Sequence, residues 1–287
     1  MTSTKKDPVI VVLQLSGGND YFNTVIPYND PLYVDNRPYV RYPLEDIIKV
    51  DDEMGFMPEM GAIKELYDQG NVAVVHGIGY ANSPRSHFRS MDIWHTCEPD
   101  KLGLEGWAGR VVRDLDPNKD NVLTAVNFGH GLPRALAAPG VPVAAISDLS
   151  TYGLLTGIGD QGQRAKALDL FARMYAPAVG SGLVTDYLRS TGMDALEGAD
   201  IVKVAPQMYS SEVEYPNSSI ANHLKDIAQV YLADLGTRIF YTQHAQFDTH
   251  AGEMLFHPVL WRDVSQAVGA FFDDLREHGR GENVIMY

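Results

Sequence analysis

The chain has 287 residues, and 23 Lys and Arg stand against 37 Asp and Glu, so its formal net charge is −14. Hydrophobic residues make up 45% of the sequence, an ordinary globular composition for a chain long enough to bury a large core. The acidic balance argues against nucleic acid as a partner, because phosphate backbones need a basic face. The single cysteine excludes an internal disulfide.

No apolar run approaches the roughly 20 residues of a membrane helix, so we expect no membrane span. Residues 1–8 are polar and unlike a signal peptide. For the sequence as it stands, we therefore expect a cytoplasmic location.

The first half of the chain alternates strand and helix patterns. Residues 9–15 are a nearly continuous apolar, β-branched run, which is typical of a strand buried on both faces. A helical apolar period follows from Met60 to Tyr67, and residues 72–76 have the composition of a second buried strand. Strand, helix and strand in this order predict a parallel unit.

The remaining elements continue the same pattern. We predict helices at residues 87–96, 104–115, 220–235 and 260–275, and strands at 122–126, 141–146, 239–242 and 284–287. Residues 151–215 show helical patterns without a clear strand, and we interpret them as a helical insertion or cap. The sequence therefore predicts an α/β fold around a mostly parallel sheet.

Polar side chains follow three of the predicted strands. In an open parallel sheet, ligands bind outside the carboxyl ends of the strands, so these side chains could converge on one spot. They are Asp20 after the first strand, Ser86 and His87 after the second, and Asp248 and His250 after the strand at 239–242.

Asp248 and His250 are two residues apart, so in an extended loop they project to the same side. A carboxylate and an imidazole together suit zinc or manganese. The alternative is a loop-capping Asp beside a surface His. Asp20, in the sequence Gly-Gly-Asn-Asp, is likewise either a metal ligand or a turn residue.

Ser86 precedes a predicted helix, so it is either a nucleophile assisted by the helix amino terminus or an ordinary N-cap. His87 could bind a substrate oxyanion or simply pack in the first turn, and the sequence does not choose between these roles.

Four ordered segments are distinctive: LSGGNDYFNTVIPY at residues 15–28, SHF with DIW at 86–94, GWAGR at 106–110 and FDTH at 247–250. Together they resemble the bacterial domain-of-unknown-function 1501 family. That family is placed in the alkaline phosphatase and sulfatase superfamily, whose members have an α/β/α sandwich and usually two divalent metal ions.

The resemblance implies a metal-dependent hydrolase acting on small-molecule or sugar phosphate or sulfate esters, with zinc, manganese or calcium as cofactor. It implies in-line attack by a Ser- or Thr-type nucleophile. The implied roles are metal ligand for Asp20, Asp248 and His250, nucleophile for Ser86 with Thr24 as the runner-up, and substrate contact for Asn23.

The sequence departs from the family in two ways. Relatives usually begin with a twin-arginine export signal, and they continue beyond residues 284–287 into Glu-Phe-Gly-Arg and Asp-His-Gly motifs that this sequence lacks. We therefore expect one domain over residues 1–287, incomplete at its C-terminus, with at most half of a two-metal site and little turnover. The alternatives are a non-catalytic binding or assembly protein with the same fold and a phosphomutase- or transferase-like enzyme.

Overall fold

The computed structural model describes residues 7–149, 160–174, 198 and 201–287. A five-stranded sheet in the order β6-β5-β7-β1-β8 is parallel at every pairing, and a small antiparallel sheet has the order β2-β4-β3. The strands are β1 Val9–Leu15, β2 Val25–Ile26, β3 Ile48–Lys49, β4 Gly55–Phe56, β5 Ala125–Phe128, β6 Ala144–Ile146, β7 Ile239–His244 and β8 Val284–Met286.

The helices lie between these strands. They are α1 Pro31–Asn36, α2 Gly61–Asp68, α3 His87–Thr96, α4 Trp107–Leu115, α5 Gln161–Met174, α6 Ala205–Met208, α7 Ser219–Leu232 and α8 Glu253–Glu277. Among the residues that the structure describes, no helix is long and apolar enough to cross a membrane.

The predicted α/β fold with a mostly parallel central sheet is confirmed. Successive residues of β1 face opposite sides of the sheet, and Val11 and Val12 are accordingly buried in two separate apolar clusters. The larger cluster lies under α7 and α8, and the smaller one under α4. The near-continuous apolar run of β1 is therefore explained by burial on both faces.

The two long helices follow their apolar periods closely. Helix α7 begins at the cap Ser218, whose side chain accepts a hydrogen bond from the Ala221 amide, and buries Ile220, Leu224 and Ile227. Helix α8 buries its own stripe, which includes Leu260, Val264, Val268, Phe271 and Leu275, against the same core. These two helices fix one layer of the fold.

Three strand predictions need correction, and one of them is the strand predicted at 141–146, which comprises only Ala144–Ile146. Residues 72–76 form no strand, although Val72 and Val74 pack partly buried against the core, because no described strand pairs with them. The strand predicted at 122–126 begins three residues later, because Thr124 folds back on Asn121 through both its amide and its hydroxyl. The parallel pairing expected between residues 9–15 and 72–76 is therefore wrong, and β1 pairs instead with β7 and β8.

Most of the predicted insertion at 151–215 lies outside the described residues. Within its described parts, the chain forms helices α5 and α6 and no strand.

Candidate metal centre

The register of the parallel sheet brings two loops together. Leu15, the last residue of β1, is paired with His244, the last residue of β7, so both strands end at the same edge. The loops that follow stay in contact, because the Phe247 amide donates to the Ser16 carbonyl at 3.0 Å. The predicted convergence of polar residues at this edge thus begins with backbone pairing.

Three side chains form a cluster that could hold a metal ion. His87, Asp248 and His250 each offer a ligand atom, and these atoms all lie within 4.8 Å of one another. The Nε2 atoms of His250 and His87 lie 2.8 and 4.0 Å from Asp248 Oδ1. Two imidazoles and one carboxylate form a three-ligand set that leaves further coordination positions open. All three side chains are exposed to solvent.

The backbone beneath Asp248 is held tightly although its side chain is exposed. The preceding Phe247 is 1% exposed and makes edge-to-face contacts with His257 and Trp261. On the other side lies Gly17, with a φ of +119°, where a Cβ atom would lie 2.5 Å from the Asp248 amide nitrogen. Only glycine fits this position, because both the backbone conformation and the close approach exclude a side chain.

His87 reaches the cluster from the first turn of α3. Ser86 is the N-cap of this helix, and its hydroxyl oxygen accepts a hydrogen bond from the Arg89 amide at 3.4 Å. This long contact uses one lone pair and leaves the hydroxyl proton free, and Ser86 is exposed beside His87. Arg85 is also exposed and forms no ion pair with any residue that the structure describes.

Asp20 does not join this cluster. Both of its carboxylate oxygens bind the Arg37 guanidinium, at 2.5 and 2.8 Å, and Oδ1 also caps the amide of Phe22. Burial alone would raise the pKa of Asp20, but hydrogen bonds from Arg37 and Glu253 outweigh it and lower the pKa. The turn-and-cap alternative for Asp20 therefore describes its contacts, whereas the metal-ligand role would require Arg37 to move away.

Asn23 and Thr24 are also occupied by internal contacts. Asn23 is fully buried; it donates to Glu253 Oε1 at 2.7 Å and accepts from the Tyr33 hydroxyl at 2.9 Å. Thr24 is 4% exposed and donates its hydroxyl proton to the Asp20 carbonyl at 2.7 Å. This burial speaks against substrate contact by Asn23 and against Thr24 as a nucleophile, which leaves Ser86 as the accessible hydroxyl.

Sequence reasoning missed the residues that organise the loop after β1. Asn19 Oδ1 lies 3.2 Å from the Thr24 hydroxyl, 3.0 Å from His257 Nε2 and 2.8 Å from Trp261 Nε1. Burial lowers the pKa of His257 most strongly, so this imidazole is neutral at pH 7. The partners lie far apart in sequence, and no local spacing pattern relates Asn19 or Arg37 to them.

A cleft of about 1030 Å³ adjoins the cluster and runs from Gly18 and His87 along the face of β1. In its wall, His95 Nε2 lies 2.7 Å from Gln14 Oε1, which also accepts from the Tyr241 hydroxyl. Burial lowers the pKa of His95. The cleft gives space for an organic group beside the three-ligand cluster.

Three comparisons with known proteins find no counterpart: no protein-family model, no curated protein and no solved structure matches the chain.

Proposed function

We propose that the protein is a divalent-metal-dependent hydrolase of phosphate or sulfate esters, with His87, Asp248 and His250 as the metal ligands. The observation that carries the proposal is the meeting of these three side chains at the carboxyl edge of a parallel sheet, where α/β enzymes place their sites. The comparisons give no support for membership of the family that the motifs resemble. The proposal therefore rests on the geometry and on the chemistry of the donor set.

The residues around the cluster suit an anionic substrate. A bound divalent ion would act as a Lewis acid and neutralise charge on an ester. The amino terminus of α3 adds positive potential at His87, and Arg85, two residues before it in sequence, has no ionic partner among the described residues. Ser86 is the candidate nucleophile, because its hydroxyl is exposed next to His87 and its proton is not donated to another described group.

The same geometry leaves a non-catalytic role as the second candidate. Ser86 also fills the N-cap of α3, and a cap needs no catalytic purpose. In that case the three-ligand cluster would bind a metal ion for assembly or storage, and the exposed ester site would be inert. Both candidates keep the alkaline-phosphatase-like sandwich that the resemblance implies, so the fold does not distinguish them.

Metal binding is the first test. Isothermal titration with Zn²⁺, Mn²⁺, Ca²⁺ and Fe²⁺ should detect binding of at least one ion, and Fe²⁺ is included because two His and one carboxylate also suit it. Asp248→Asn should weaken that binding at least about a hundredfold, since it removes the ligand charge. Asp100→Asn, in an exposed turn, is the matched control and should bind like the parent protein.

Turnover is the second test. Aryl phosphate or aryl sulfate should be hydrolysed slowly in the presence of the bound ion, since the sequence predicts at most half of a two-metal site. Ser86→Ala should abolish this slow hydrolysis without weakening metal binding. Metal binding without turnover of either ester would favour the non-catalytic candidate. Failure to bind any of the four ions would refute both.

A further inference from the structure

A second cluster of titratable side chains lies at the C-terminal end of α8, on the order of 35 Å along this 25-residue helix from its first turn. Asp274, Glu277 and His278 have ligand atoms within 4.8 Å of one another. Their hydrogen bonds nevertheless exclude a metal ion. His278 Nδ1 lies 2.8 Å from the Asp274 carbonyl, and Nε2 lies 2.9 Å from the Ser210 carbonyl.

These two contacts fix the protonation of His278. Backbone carbonyl oxygens only accept hydrogen bonds, so both ring nitrogens must carry a proton. The ring is then an imidazolium, and it has no lone pair to offer a metal ion. His278 is thus a doubly donating cation that joins α8 to the segment containing Ser210.

The buried carboxylate of Asp274 explains why a cation stands here. Asp274 is fully buried, and its Oδ2 accepts from the hydroxyls of Tyr209 and Tyr215 at 2.7 Å each. Its Oδ1 has no hydrogen-bond partner among the described residues, but it lies 3.3 Å from His278 Nδ1. Because an uncompensated buried charge is costly, the carboxylate and the imidazolium stabilise each other.

Several hydrogen bonds of this cluster attach residues 209–215, which we call the strap, to the C-terminal end of α8. Two further hydrogen bonds join the strap to the Glu277 carboxylate. The Ser211 hydroxyl donates to this carboxylate at 2.8 Å, and the Glu212 amide donates to it at 3.2 Å. The strap leads from α6 into α7. Release of the cluster would therefore free the connection between these two helices.

We propose that His278 is a proton-dependent latch, which as an imidazolium holds the strap on the end of α8 and on losing a proton releases it. A neutral imidazole keeps one N–H. The proton stays on Nδ1, because a lone pair there would face both the Asp274 carbonyl and the carboxylate. The lone pair then falls on Nε2 and faces the Ser210 carbonyl, so the contact that is lost is the one to the strap.

The charged groups around His278 act in the same direction. The hydrogen bond to the Asp274 carbonyl raises the pKa of His278, and the Ser210 carbonyl, Asp274 and Glu277 raise it further against the effect of burial. Burial, together with Asp274, raises the pKa of Tyr209 and of Tyr215, so neither ionises near neutrality.

A further cation, Lys225 of α7, lies near the two tyrosines of the cluster. Its Nζ is 5.9 Å from the ring centroid of Tyr209 and 6.0 Å from that of Tyr215. Glu277, whose pKa is lowered by its hydrogen bond from Ser211, stays ionised. His278, whose pKa is raised above its ordinary value, is therefore the group of this cluster on which the proposal depends. Because its pKa is raised in the folded state, the latch is complete below about pH 6.5 and opens as the pH rises through the folded value.

Hydrogen exchange of the strap amides tests the latch. We expect the protection of residues 211–215, corrected for intrinsic exchange rates, to fall on the order of tenfold between pH 5.5 and 9. Imidazole ¹⁵N shifts of His278 should show both nitrogens protonated at the low end and one at the high end, with the same midpoint. His278→Gln should give low protection at every pH, and His278→Arg, a permanent cation, should keep it at pH 9.

His130→Gln is the control, since His130 is exposed on the loop after β5 and should leave the profile unchanged. Two results would overturn the proposal: strap protection that does not change while His278 titrates, or a His278→Gln profile with the same midpoint as the parent protein. The exchange and shift measurements on the unsubstituted protein decide the matter even where a variant fails to fold.

Discussion

The contact between Gly17 and Asp248 allows a sharp test of the candidate metal centre. Gly17 and Gly18 are adjacent and both have positive φ, +119° and +99°. A Cβ atom on Gly17 would lie 2.5 Å from the Asp248 amide nitrogen, whereas on Gly18 it would meet only His87 Cε1, at 3.8 Å. Gly17→Ala and Gly18→Ala therefore form a matched pair in which only Gly17→Ala crowds the backbone of Phe247 and Asp248.

The size of the effect follows from these distances. Both substitutions force alanine into a disfavoured backbone region, at about 1–3 kcal/mol of unfolding free energy each. Gly17→Ala must in addition displace Asp248 by about 0.9 Å to restore ordinary van der Waals contact, which starts at 3.4 Å. Because metal–ligand distances tolerate only about 0.2 Å, we expect metal binding about 10- to 100-fold weaker in Gly17→Ala.

The assay is isothermal titration of both variants with the ion that binds the parent protein most tightly, beside urea unfolding of each. Gly18→Ala should share the loss of stability and keep metal affinity within about threefold, less than 0.7 kcal/mol. Equal metal affinity of the two variants, with Gly17→Ala folded, would show that Asp248 is not a ligand positioned by the loop after β1.

Two further predictions concern stability. Gly106→Ala should lower the free energy of unfolding by about 3 kcal/mol or more, because its Cβ would lie 2.1 Å from the Arg134 carbonyl oxygen. Gly61→Ala is the control and should not destabilise the protein, because no atom lies within 4 Å of its Cβ position. The urea midpoints of the two variants test the difference. Arg37→Met should lower the free energy of unfolding by about 1–3 kcal/mol at pH 7, because it leaves Asp20 without its ionic partner. Since the pKa of Asp20 is lowered in the folded protein, the difference between variant and parent should shrink as the pH falls below about 4. A difference that stays constant with pH would contradict this prediction.

The elements that the sequence predicted correctly are those with a long hydrophobic pattern inside a single segment. The 25 residues of α8 repeat an apolar stripe that core packing then satisfies, and β1 is apolar on both faces because both faces are covered. Residues 72–75 are all apolar, as most of β1 is, and still form no strand. Strand formation needs a paired neighbouring strand, and a short apolar run does not show whether such a strand lies beside it.

The candidate site likewise contains residues that local spacing predicted and residues whose role depends on tertiary contacts. Asp248 and His250 were predicted to act together from a two-residue spacing, and they do lie together. His87 joins them because α3 begins beside the loop after β1. This proximity depends on the tertiary structure, so local sequence spacing could not predict it. Asp20 had two interpretations in the sequence, and the deciding residue, Arg37, lies 17 positions away with no periodic relation to it.

The acidic net charge of the chain does not conflict with the proposed anionic substrate, because the electrostatic field that a substrate meets is local. A net charge of −14 is spread over the whole surface, and solvent screens exposed charges beyond roughly 8–10 Å. At the cluster itself, the first turn of α3 presents its positive end and Asp248 lies between two imidazoles. A divalent ion at that point would outweigh the single carboxylate that holds it and reverse the sign of the potential met by an ester. Metal loading and anion affinity should therefore rise together, since the site is attractive to phosphate or sulfate only when its cation is present.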